Sequence, residues 1–120
     1  MSASQPSHIS DALLALWEQF RVTIMGRVET IEQASAAWSR GSLDAELRRK
    51  AEQEAHKLAG VLGSFGLSEG SRIAGAVEQL LQPEATLDCQ DAARLSEYAS
   101  ELRRLAERGP EARSSAAHAP

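Results

Sequence analysis

The sequence is poor in the residues that carry most recognisable chemistry. Its single cysteine, Cys89, leaves no intramolecular disulfide and no cysteine-based metal set; a small residue near the start of a helix is its simplest role. Aromatic residues are limited to two Trp, two Phe and one Tyr, so a core has to be built from Leu, Ala, Val and Ile. Prolines stand only at positions 6, 83, 110 and 120, which leaves long stretches without a helix breaker. No apolar run reaches the roughly 18 residues of a membrane span. The opening MSASQPSHIS lacks the charged-then-apolar layout of a signal peptide, and the expected location is the cytoplasm, away from membrane. Basic residues number 13 against 17 acidic ones, for a net charge of −4, so there is no cationic excess to neutralise nucleic-acid phosphates.

What is present is helical periodicity in a chain of 120 residues, the size of one small domain. Leu13, Trp17, Phe20, Ile24, Val28, Ile31, Ala34 and Trp38 recur at steps of three and four after a Ser10-Asp11 cap, and Gly41 follows as a stop. A second helix begins near Ser42 or Leu43 and carries Leu47, Ala51, Ala55, Leu58, Leu62 and Phe65 on one face. Gly66 breaks it, Ser68 is a candidate cap, and Ile73, Val77, Leu80 and Leu81 mark a third helix ending before Pro83. The fourth opens around Thr86, with Asp88 and Asp91 near its start, presents Leu95, Tyr98, Leu102 and Leu105, and stops at Gly109-Pro110. Four amphipathic helices with short connections predict an all-α, antiparallel four-helix bundle over residues 10–108. Residues 1–9 are expected to form a flexible N-terminus, and residues 109–120 a flexible tail or interdomain linker.

One stretch works against its own helix. AHKLAGVLGSFG, residues 55–66, contains Gly60, Gly63 and Gly66 beside His56, although a glycine inside a helix costs about 1 kcal/mol relative to alanine. On a wheel of about 100° per residue, His56 lies about 160° from the centre of the apolar stripe at Leu58. Gly60 and Gly63 flank it within about 40°. A patch free of side chains beside an exposed imidazole suits the close approach of another protein. Gly66 serves instead to end the helix.

The same stretch, extended to Leu67, resembles the phosphorylation motif of histidine phosphotransfer (HPt) domains of bacterial two-component phosphorelays. His56, Leu58, Gly60, Gly63, Ser64, Phe65 and Gly66 all stand in register with that motif. The resemblance spans residues 10–108 and implies a bundle with the phosphoacceptor His56 exposed on the second long helix. It departs from the family at Ala59, where many members carry a basic residue; Lys57 is basic but about 100° round the helix from His56. The family pattern also implies a partner for the ring Nδ1 on the following helix, which here falls on Glu78, next to Gln79. The segment EGSRIA and the long first helix are similar to HPt domains that precede receiver modules in multidomain regulators, and the linker-like tail leaves room for further domains of the same polypeptide.

What the resemblance implies is a phosphocarrier rather than an enzyme, with no kinase or nucleotide-binding site and no cofactor or metal of its own. Its partners are then receiver domains of response regulators or hybrid histidine kinases, which contribute the Mg²⁺ and the acidic pocket. The implied site comprises His56 as phosphoacceptor with Lys57, Gly60, Gly63 and Glu78 in support. Arg48, Arg49 and Lys50 are either part of a docking rim or a solvated charged face. His8 and His118 have no spaced partner for a metal. The rival reading is a structural or docking bundle, including a degenerate HPt domain that binds receivers without being phosphorylated; it leaves the two outward glycines unexplained.

Overall fold

The computed structural model describes residues 5–83 and 88–118. They form four helices and no strand: α1 (Gln5–Ser39), α2 (Ala45–Ser64), α3 (Ser68–Leu80) and α4 (Cys89–His118). Among the described residues each helix packs on the two beside it in the ring order α1, α2, α3, α4, and the diagonal pairs do not meet. Neighbours run antiparallel. Arg27 meets Glu54 where Trp17 meets Phe65, so α2 descends along α1; Gly70 lies against Leu105 at the start of α3. Among the described residues no helix is long and apolar enough to cross a membrane.

The helices begin and end where local chemistry allows. Asp44 caps α2, its side chain accepting from the Leu47 amide at 2.7 Å, and Asp88 does the same for the Asp91 amide at 2.8 Å in α4. Gly41 and Gly66, at φ +73° and +78°, close α1 and α2. In both cases the next two amides turn back onto helix carbonyls, Gly41 to Trp38 and Ser42 to Ala37, then Gly66 to Gly63 and Leu67 to Leu62. This satisfies carbonyls that would otherwise be orphaned. Ser68 is the first residue of α3 rather than its cap; Leu67 takes the cap position and offers no side-chain bond.

The core consists of Trp17, Ile24, Val28, Ile31, Ala34 and Trp38 from α1, Ala51, Ala55, Leu58 and Leu62 from α2, Ile73 and Val77 from α3, and Leu95 and Leu102 from α4. Phe20, expected in this core, is instead 43% exposed. It stands at the level where α2 ends, where Phe65 packs edge-on against it with ring centroids 6.3 Å apart. Across α1 and α4, Arg103 holds both carboxylate oxygens of Glu32, at 2.6 and 2.9 Å. Those bonds push its guanidinium further above its ordinary pKa.

Both chain ends differ from the sequence expectation. Helix α1 starts at Gln5, ahead of the Ser10-Asp11 cap, and helix continues through His118 after a break at Gly109. The Gly-Pro pair turns the chain without ending it. Gly109 takes φ +69° and ψ −172°, and Pro110 then occupies a first helical position, where its fixed φ fits and its missing N–H is not needed. Thr86 lies outside the described residues.

Candidate functional site

The buried face of α2 sets the rotation of the helix, and with it the direction of His56. Ala51, Ala55, Leu58 and Leu62 are buried; the His56 side chain is 73% exposed. Gly60 lies one turn further along the same face, and a β-carbon there would meet nothing within 4 Å. Gly63 is different. It too is exposed, but a β-carbon on it would stand 3.4 Å from Ser71 Oγ of α3. Gly60 thus opens onto free space, while Gly63 borders the seam between α2 and α3.

That seam is close. Ser71 Oγ donates to the Ala59 carbonyl at 2.8 Å, and a β-carbon on Gly70 would fall 2.9 Å from Leu62 Cδ1. From the contact of Gly63 with Ser71, two turns back along α2 reach His56 and two turns forward along α3 reach Glu78. There the ring Nδ1 lies 3.0 Å from Glu78 Oε2. The helical wheel, with His56 nearly opposite the core, does not anticipate this contact. A wheel records angle about one axis; the pair forms because both side chains reach sideways across a seam narrowed by glycine and serine.

The chemistry of the pair follows from its donors. A carboxylate only accepts, so the imidazole Nδ1 carries the hydrogen and donates it to Glu78. The Nε2 atom then holds the lone pair in the neutral ring, a geometry fit for nucleophilic attack.

The basic residues near the site divide three ways. Arg48 reaches across to the C-terminus of α3, its Nε donating to the Leu81 carbonyl at 3.0 Å and its Nη2 to that of Gln82. There it holds the carbonyl of the C-cap residue Leu81 and that of the residue after it, and meets the negative end of the helix dipole. Lys57 lies 3.8 Å from Glu54, which Arg27 of α1 also holds, at 2.9 Å. Arg49 and Lys50 are exposed. Sequence reasoning missed Ser71, Arg27 and the capping role of Arg48, since each depends on where a neighbouring helix lies.

An exposed histidine on the second helix of an antiparallel four-helix ring, backed by an acidic residue from the third, is the setting against which a family match acquires meaning. The family model described as the Hpt domain matches residues 15–108. The chain belongs to the Hpt domain family. No match was found among curated proteins or among solved structures. As an Hpt domain it is a member of a family that serves histidine phosphotransfer in phosphorelays, as phosphocarriers rather than enzymes. The Hpt match closes at residue 108, immediately before the Gly109 turn.

Proposed function

We propose that this Hpt domain accepts a phosphoryl group on His56 Nε2 from a receiver-domain aspartate and passes it to another receiver. The observation that carries this reading is the 3.0 Å approach of Glu78 Oε2 to His56 Nδ1 on a ring otherwise open to a partner. The Nε2 lone pair attacks phosphorus, a P–N bond forms, and the P–O bond to the aspartate breaks with its electrons staying on the carboxylate. The ring is then cationic, its Nδ1–H still held by Glu78. In the onward step a receiver carboxylate attacks phosphorus, and the imidazole leaves as the neutral ring with its bonding pair restored to Nε2. Positioning and charge stabilisation do most of the work in such transfers.

Gly60 leaves the space into which a receiver descends, and Gly63 keeps the same ridge low. Lys57 supplies a nearby cation where Ala59 stands in place of the basic residue common in the family. By family analogy the receiver contributes Mg²⁺ and the acidic pocket, and this chain contributes no nucleotide site. The cellular setting that accords with this role is bacterial and cytoplasmic, with receivers of response regulators or hybrid kinases as partners.

The deciding experiment incubates the purified protein with phosphorylated receiver domains and Mg²⁺, beside a His56→Gln variant. Acid-labile label on the wild type alone is the expected result. Absence of label across several receivers would return the protein to a docking or structural bundle.

A further inference from the structure

We infer that Arg49 is the docking cation of this domain, the residue that pairs with an acidic group on the receiver and sets its rate of association. The inference rests on the phosphotransfer reading above and identifies how the partner is captured. Arg49 precedes His56 by seven residues, which places it within about 20° of the histidine on the helix and about 10 Å away along the axis. Arg49, His56, Gly60 and Gly63 therefore form one outward ridge. A protein that lands on the glycines with its aspartate at His56 extends over Arg49 if it covers one more turn or two.

Four of the neighbouring cations have partners of their own. Arg48 caps α3, Lys57 and Arg27 share Glu54, and Arg72 is paired with Glu69. Arg49 is exposed, and among the described residues no ion pair or hydrogen bond engages it. Glu52, one turn nearer the histidine, is half-buried and is not ion-paired with it. Lys50, equally exposed, points about 120° away from His56 and serves as an internal comparison.

Charge gives this position its consequence. The chain carries a net charge of −4, so at long range it repels a partner whose active face is acidic. A single unpaired cation on the landing ridge supplies local attraction and orients the encounter. About 10 Å along the helix from His56, a separation comparable to the screening length at 0.1 M salt, it contributes little to the phosphoryl group itself. Its effect falls on association.

The test compares wild type, Arg49→Glu and Lys50→Glu, all checked for an unchanged thermal transition. Transfer is followed from a receiver domain charged with acetyl phosphate, over a salt series, and receiver binding is titrated separately. Phosphoramidate, a small donor that needs no docking, labels His56 in parallel. The expected result is a fall of about tenfold in kcat/KM for Arg49→Glu at low salt, with kcat nearly unchanged and the difference from wild type shrinking as salt is raised. Labelling by phosphoramidate stays at the wild-type rate, and Lys50→Glu transfers nearly as well as wild type. Wild-type transfer by Arg49→Glu, equal loss in Lys50→Glu, or a parallel loss of phosphoramidate labelling would each overturn the assignment. Receiver binding that depends on Arg49 without any label on His56 would uphold the docking cation and sink phosphotransfer. A wild type that neither binds nor accepts phosphate would sink both.

Discussion

His56 and Glu78 stand 22 residues apart in sequence and 3.0 Å apart in space, joined across the α2–α3 seam through Nδ1 and Oε2. If that contact fixes the ring tautomer, the acceptor at position 78 matters more than its charge. Glu78→Ala is expected to slow phosphoryl acceptance by about tenfold, whereas Glu78→Gln, which keeps a carbonyl oxygen for the Nδ1–H, retains most of the rate. Nitrogen-15 chemical shifts of the ring should show Nδ1 protonated in the wild type and in Glu78→Gln, and mixed tautomers in Glu78→Ala. Stability should change by about 1 kcal/mol or less, because the His56 side of the pair is 73% exposed.

Gly60 separates stability from function. A methyl group there meets nothing, and alanine is the better helix former, so Gly60→Ala is expected to stabilise the domain by about 1 kcal/mol in denaturant titration. If the bare surface is where the receiver seats, the same variant transfers phosphate more slowly. Gly66→Ala should instead destabilise by about 1 kcal/mol or more, since its φ of +78° strains any side chain. A Gly60→Ala protein that is both more stable and fully active would remove Gly60 from the landing surface.

Gly109 is held against Trp17. A β-carbon at 109 would lie 2.8 Å from the indole Nε1, and the residue's φ of +69° independently resists substitution. Gly109→Ala is expected to cost about 2–4 kcal/mol, from left-handed strain together with overpacking. The thermal midpoint should drop by about 10 °C.

Arg48 tests whether a cation near the site belongs to chemistry or to architecture. Its bonds to the Leu81 and Gln82 carbonyls predict a loss of about 1–2 kcal/mol in Arg48→Ala, with the transfer rate per folded molecule unchanged. A variant of normal stability and slow transfer would mean that Arg48 faces the partner.

The order of the helices and most of the core were legible because each amphipathic face repeats at a helical period within its own segment. Trp17, Ile24, Val28 and Ile31 are buried where the spacing puts them. Phe20 departs from the pattern because periodicity knows nothing of where the neighbouring helix stops. His56 could be placed on the outer side of α2 by angle alone. Its contact with Glu78 was suggested by the resemblance and not by the wheel, since the separation of two helices depends on the small residues Gly63, Gly70 and Ser71 between them. Gly109-Pro110 carried both a stop and a start signal, and reading only the first hid the helix that follows.

The polar links of the α2–α3 seam, from Arg48 at Leu81 and Gln82 to Ser71 at Ala59, all fall within residues 48–82, and so does the histidine with its acidic partner. Helices α1 and α4 hold that hairpin from behind, and Arg27 of α1 reaches Glu54 within it. Reagent and chassis are therefore separable along the chain. Redesign of α1 and α4 can retune melting temperature or attach new modules at either end, while a transplanted hairpin would carry its chemistry to any pair of helices that offers the same apolar floor.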